Sequence, residues 1–155
     1  EQMDRVAMDI LGPLPKSKNG YRNILVMCDP FTKWTKTYPL PDQEAQTIAK
    51  VFVDCFVSRF GTPLKVHSEL GTNLQSKIFQ EMCDLLHIKK TRTTSMYPQA
   101  NGTVERFNRN LTAMLSMYCE KNQHSWNEYL HQVMMVYRSS VNASTGFTPN
   151  MMTLG

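Results

Sequence analysis

Three acidic residues, Asp9, Glu69 and Glu105, stand where a chain would place ligands for a hard cation. Asp9 lies in the apolar run Val6-Ala7-Met8-Asp9-Ile10-Leu11, and a carboxylate inside such a run costs free energy unless something pairs with it. Glu69 follows a short β-prone segment, at the carboxyl end where open α/β sheets place their sites. Glu105 falls in the first turn of a long amphipathic helix, one position from its apolar stripe. Carboxylate oxygens are the donors that hard divalent ions prefer. Each acid also has an ordinary role. Glu105 complements a helix dipole, Glu69 is a solvated turn residue, and Asp9 is a polar residue at a strand end. Composition and spacing alone do not bring the three together.

The elements that must position these acids follow from hydrophobic period and punctuation. Residues 6–11 read as a strand that stops at Gly12-Pro13, and Asn19-Gly20 is a hairpin signal before the β-prone run 21–28. Residues 32–38 form the third expected strand, closed by Pro39 and Pro41. Asp42 is the expected cap of a helix over 43–60, with Ile48, Val51, Phe52, Cys55 and Phe56 on one face and Gly61-Thr62-Pro63 as its stop. A short strand at 64–67 precedes a helix capped by Ser76 and running to His87, with Ile78, Phe79, Met82, Leu85 and Leu86 inward. Residues 88–94 make the fifth strand. The stretch 95–102 reads as a loop, with Pro98, Asn101 and Gly102 as breakers. Two helices follow, over 103–121 and 125–141, the second anchored by Trp126. This order predicts a mixed sheet with helices packed against it, an α/β domain.

Bulk properties bound the class. The 155 residues suit one compact domain from 1 to 155, and 41% hydrophobic with 19% charged residues excludes a disordered chain. No apolar run approaches the roughly 20 residues of a membrane span. The start shows no signal peptide, and the missing initiator Met leads us to expect a piece of a longer protein. A net charge of +4, from 17 basic and 13 acidic residues, is a mild lean toward polyanions. Cys28, Cys55, Cys83 and Cys119 have no metal-ligand spacing, which points to reduced thiols inside a cell. The four histidines read as ordinary residues, and the 11 methionines, including Met134-Met135 and Met151-Met152, as gap-filling core.

Longer phrases carry more. Tyr97-Pro98-Gln99-Ala100-Asn101-Gly102-Thr103-Val104-Glu105-Arg106-Phe107-Asn108-Arg109 resembles the HPQSNGxVERFNR signature of gypsy-type retrotransposon integrases. Asp9-Ile10-Leu11-Gly12-Pro13-Leu14-Pro15 resembles the first-acid motif of that family. Phe31-Thr32-Lys33-Trp34 resembles its FTKW box, Phe60-Gly61-Thr62-Pro63 its FGxP turn, and Thr145-Gly146-Phe147-Thr148-Pro149 its closing STGxSP element. The motifs occur in the family's order over nearly the whole chain, so the sequence resembles the catalytic core of a retroviral or gypsy-type integrase.

That resemblance implies an RNase H-like, mixed five-stranded sheet flanked by helices and an Asp-Asp-Glu catalytic triad. Asp9 matches the first acid and Glu105 the third, and 35 residues separate Glu69 from Glu105 as the family pattern requires. Glu69 stands where the family has Asp. The three acids would hold two Mg²⁺ or Mn²⁺ ions for 3′-end processing and strand transfer. The extra methylene of Glu69 changes its reach by up to about 1.5 Å, which predicts an impaired or silent site, as in a host-domesticated or decaying copy. Tyr97, Gln99 and Asn101 match DNA-touching positions of the family. Lys89, Lys90, Arg106 and Arg109 are candidate phosphate contacts, although lysines also protect a strand edge and Arg109 has the spacing to pair with Glu105. The resemblance further implies DNA as partner, a homodimer or higher homo-oligomer, no membrane, and nuclear residence. Two other readings stay open: an inactive core serving as a DNA- or protein-binding module, and a nuclease acting on RNA–DNA hybrids.

Overall fold

The structure, a computed structural model, describes residues 2–68, 74, 76–92 and 98–155, apart from the side chains of Arg92 and residues 98–101. Strands β1 (Arg5–Leu11), β2 (Asn23–Cys28), β3 (Thr35–Leu40), β4 (Lys65–Ser68) and β5 (Lys89–Arg92) form one sheet in the order β3-β2-β1-β4-β5. β1 pairs antiparallel with β2 and β2 with β3, while β4 lies parallel to β1 and β5 parallel to β4. The mixed α/β sheet expected from the sequence is the one observed.

Every residue of β2 is buried, because both faces of the sheet are covered. Val6, Met8, Leu25 and Met27 face one helical layer, where Ile48, Phe52, Phe56 and Phe79 meet them. Ala7, Ile24 and Val26 face the other, packed by Phe107, Leu111, Leu130 and Val133. Alternate residues of one strand point to opposite faces. Asp9, two residues beyond Ala7, therefore looks toward the second layer.

The first layer is α1 (Ala45–Val51), a π-helical stretch (Phe52–Val57), the turn α2 (Ser58–Phe60) and α3 (Lys77–Leu85). Asp42 does not cap α1. Its Oδ1 accepts from the Glu44 N–H at 2.9 Å and closes a turn before the helix begins, with Glu44 at the cap position. Ser76 does cap α3, accepting from the Phe79 N–H at 3.3 Å. Ile78 and Leu85, expected inside, are 42% and 81% exposed. The buried face of α3 runs through Phe79 and Cys83 instead.

The second layer is α4 (Pro98–Tyr118) and α5 (Trp126–Ser139), followed by α6 (Pro149–Leu154). α4 begins five residues before its expected start, so Pro98, Asn101 and Gly102 lie within a helix and not in a loop. Proline is tolerated there, since a first-turn N–H has no intrahelical partner. Trp126 anchors α5 as expected, donating Nε1–H to the Pro15 carbonyl at 2.7 Å. Thr148 caps α6 by accepting from the Met151 N–H at 3.1 Å, which is the local work of the Thr145–Pro149 motif. Gln2 donates to the Thr153 carbonyl at 2.9 Å, so the two ends of the described chain meet. Met134 is buried, but Met135 and Met151 are exposed and fill no core. All four cysteines are free thiols.

β3 starts later than expected because Asp29–Trp34 is a turn. The buried Asp29 carboxylate accepts from the Phe31 N–H at 2.9 Å, the Thr32 hydroxyl at 2.9 Å and the Met3 N–H at 3.2 Å. Lys33 sits at φ 62°, a left-handed turn conformation that no strand contains. Pro39, expected to end β3, pairs with Ile24 inside it, as an edge strand allows.

Gly12 closes β1 with φ 148°, and a Cβ there would sit 2.3 Å from Asn23 Oδ1. That oxygen is held by Gln43 Nε2 at 2.7 Å. Gly12→Ala is expected to cost about 1–3 kcal/mol, read from the urea midpoint at unchanged slope. A cost under about 0.5 kcal/mol, the scale of a neutral surface change, would show that Asn23 is free to move.

Candidate active site

β1 carries Asp9 in the middle of the sheet, and α4 crosses the same face with Glu105 and Asn108 one turn apart. Asn108 Nδ2 donates to Asp9 Oδ2 at 2.7 Å. The Asn108 Oδ1 is buried and has no partner among the described residues. Burial holds the Asp9 carboxyl above its ordinary 3.8, against the pull of the Ile10 N–H and the Asn108 amide, and the charge of Glu105 adds to the rise. Asp9 of β1 and Glu105 of α4, nearly a hundred positions apart in sequence, thus lie near enough to feel each other's charge.

Glu69 and Tyr97 lie outside the described residues, as do the side chains of Gln99 and Asn101. Among the described residues no group of three His, Cys, Asp or Glu side chains forms a cluster able to hold a metal. The two acids that are described fit a hard cation in kind: oxygen donors, one of them half desolvated, repelling each other in the protein alone.

The cationic candidates separate. Arg106 and Arg109 are exposed on α4, and Arg109 makes no ion pair with Glu105 among the described residues. Lys89 is exposed on β5. Lys90 bends inward, donating to the Leu74 carbonyl with its ammonium 5.3 Å from the Phe79 ring centre. Lys89 and Lys90, adjacent in sequence, thus point to different surroundings.

Two residues escaped the sequence reading. Asn108 was visible only as part of the Val104–Arg109 phrase, yet its spacing of three from Glu105 puts it on the same helix face. Asp29 carries the Asx-turn signature Asp-Pro-Phe-Thr. The turn that it builds reaches the site, since Lys33 Nζ donates to Thr103 Oγ1 at 3.3 Å, and the Lys33 carbonyl accepts from the Tyr137 hydroxyl at 3.0 Å. One turn thereby ties the first half of α4 to α5.

The integrase core domain family matches residues 1–98. The retrovirus-related Pol polyprotein from transposon 412 of Drosophila melanogaster is 27% identical over 152 residues, 98% of this chain and 12% of that polyprotein. The Pro-Pol polyprotein of feline foamy virus is 28% identical over 152 residues, 98% of this chain and 13% of that polyprotein. The chain thus spans a small part of the polyproteins that it matches. The crystal structure of the catalytic core domain of BIV integrase shares the fold at a TM-score of 0.78 and 22% identity, covering 98% of this chain and 94% of that one. The HTLV-2 integrase catalytic core domain, in complex with magnesium and in a trimeric form, does so at 0.74 and 20%, covering 96% and 95%. With a matched segment that holds all five strands and relatives that extend through α4, this chain belongs to the integrase core domain family.

Proposed function

We propose that this chain is a DNA-joining core, a polynucleotidyl transferase whose site is built on Asp9, Glu69 and Glu105. The observation that carries the reading is the Asn108 hydrogen bond to Asp9, which sets over β1 the stretch of α4 that carries Glu105 one turn away. Asp9 and Glu105, with Glu69, would hold Mg²⁺ or Mn²⁺, two ions in the active state. Bound there, divalent ions activate an attacking oxygen and stabilise a leaving one. Asn108, donating to Asp9 Oδ2, holds that carboxylate in place. Arg106, Arg109 and Lys89 are exposed and fit phosphate contact. Tyr97, Gln99 and Asn101 join the DNA-facing set on the strength of the motif match, whereas Lys90, whose ammonium donates to the Leu74 carbonyl, is the weaker candidate. A homo-oligomer suits the trimeric form of the similar HTLV-2 core, and nuclear residence rests on the family resemblance. No described helix is long and apolar enough to cross a membrane.

Glu69 in place of Asp lowers turnover. Metal sites tolerate about ±0.2 Å, and a 1 Å misplacement costs on the order of 10²-fold in rate. The test is metal-dependent joining, and its reverse, on branched DNA with the chain as given, Glu69→Asp and Glu105→Gln. Glu69→Asp is expected to raise the rate on the order of 10²-fold, and Glu105→Gln to abolish it. Silence from all three in a folded protein that still binds DNA would favour the second reading, a binding module, which Glu69 itself motivates.

Asn108→Ala is expected to lower activity or metal affinity about 10- to 100-fold, the usual cost of losing a group that orients a ligand. A rise in the half-saturating Mn²⁺ concentration with an unchanged melting temperature would identify positioning as the cause. Activity within twofold of the parent would sink that role.

A further inference from the structure

α4 carries two polar flanks beside its buried stripe of Val104, Phe107 and Leu111. Glu105 and Asn108 lie on one. Thr103, Arg106 and Asn110, at helical spacing, form the other. A small cavity opens on this second flank, between α4, the Lys33 turn and the loop after α5. Its floor is the Phe107–Tyr137 ring pair, and its walls are Lys33, Thr103, Arg106, Asn110, Asn142 and Ser144. Among the described residues two cations line it and no acid does.

Lys33 reaches the cavity because its backbone is pinned. Its N–H donates to the Asp29 carbonyl at 2.9 Å, and its carbonyl accepts from the Tyr137 hydroxyl at 3.0 Å and the Thr35 hydroxyl at 3.1 Å. At φ 62° glycine is the favoured residue, so a lysine held there points to a use for its side chain. Nζ spends one of its three N–H groups on Thr103 Oγ1, at 3.3 Å, and Arg106 stands one turn beyond Thr103. Neither Lys33 nor Arg106 has a carboxylate within ion-pair distance among the described residues. The Asp29 carboxylate is taken up by Met3, Phe31 and Thr32. On the far wall Asn142 Oδ1 accepts from the Ser144 N–H at 3.0 Å and the Ser144 hydroxyl at 2.7 Å, which leaves Nδ2 as its donor end. Ammonium, guanidinium and amide donors around one opening select an oxyanion. The cavity, about 30 Å³, admits one water-sized group. An oxygen of a phosphate can enter while its ester chain stays in solvent, whereas a nucleobase does not fit.

We propose that Lys33 and Arg106, with Asn142, bind one nucleic-acid backbone phosphate on the flank of α4 opposite Glu105 and Asn108. The site rests on the DNA-joining reading in taking DNA as its ligand, but it needs neither metal nor turnover.

The test is fluorescence anisotropy with a short labelled DNA duplex, in chelator and over a range of salt. It compares the chain with Lys33→Gly, Arg106→Gln, the double variant and Arg109→Gln. Lys33→Gly removes the ammonium and relaxes the backbone, so its melting temperature should stay near the parent's. Should it melt lower, Arg106→Gln, an exposed change on a helix surface, carries the same decision. Each single variant is expected to weaken duplex binding about fivefold to tenfold. Because both cations serve one phosphate, the double variant should lower the salt slope by about 1 in all, where separate phosphates would lower it by about 2. Affinities within about twofold of the parent, or the larger change in slope, overturn the proposal. If Arg109→Gln still weakens the duplex in that case, DNA binding stands and only this site falls. A parent that binds no duplex sinks both. Calorimetric titration with inorganic phosphate separates the remaining source: variants that lose phosphate but keep the duplex overturn the backbone assignment in favour of a free anion.

Discussion

Replacing Asp9 with Asn is expected to stabilise the metal-free protein at neutral pH while cutting metal-dependent joining on the order of 10²- to 10³-fold, the scale of losing one preorganised electrostatic group. The two effects share a cause. Burial raises the folded-state pKa of Asp9 above its ordinary 3.8, so the folded form binds the proton more tightly than the unfolded one. Stability from this group is therefore fully present below about pH 4 and is lost as pH rises through the folded value. Asn carries no charge to desolvate, and its side-chain oxygen can still accept from Asn108 Nδ2. The melting temperature of Asp9→Asn minus that of the parent, measured in chelator, should be smallest near pH 4 and climb to a plateau toward neutrality. A difference independent of pH would show that Asp9 is fully solvated in the folded state. Adding Mg²⁺ or Mn²⁺ should raise the parent toward the variant and leave the variant unmoved.

Phe107→Ala is expected to cost about 3–5 kcal/mol, the range for a buried aromatic truncated in a packed core. Phe107 is 3% exposed between Glu105 and Asn108 on α4, and its ring meets Tyr137 edge-on at 4.7 Å. For a domain of this size the loss corresponds to a melting temperature lower by about 6–20 °C. Tyr137 is the residue whose hydroxyl holds the Lys33 carbonyl, so the cavity would also slacken the turn that binds Thr103. Activity at low temperature should then fall more than the folded fraction does. Proportional losses would confine Phe107 to stability alone.

Much of this architecture was legible because its signals are local. β1 and β2 announce themselves through β-prone apolar runs, Ser76 through its cap, and α5 through the stripe from Trp126 to Met134. The failures have physical reasons. Thr32 to Trp34 have strand propensity, but the Asp29 carboxylate and the left-handed Lys33 override it. Pro98, Asn101 and Gly102 read as breakers, yet they fall in the opening turns of a helix, where breakers cost little. Leu85 has the spacing of the expected apolar stripe, but the buried side of α3 is set by Phe79 and Cys83 and Leu85 falls outside it. Asp9 and Glu105 were singled out through their motifs, whereas the Asn108 hydrogen bond to Asp9 depends on where α4 crosses β1, which no local signal gives.

The hydrogen bond from Gln2 to Thr153 gives the domain a mechanical character. Tension applied through both ends would load that contact and the short α6 first. α6 rests on α5 and is capped by a single threonine, so it can peel away one bond at a time. β1, by contrast, is clamped between β2 and β4, and its bonds to both must be sheared together. Force transmitted through flanking chain would therefore be absorbed at the C-terminal helix, leaving the strand that carries Asp9 in register until the sheet itself gives way.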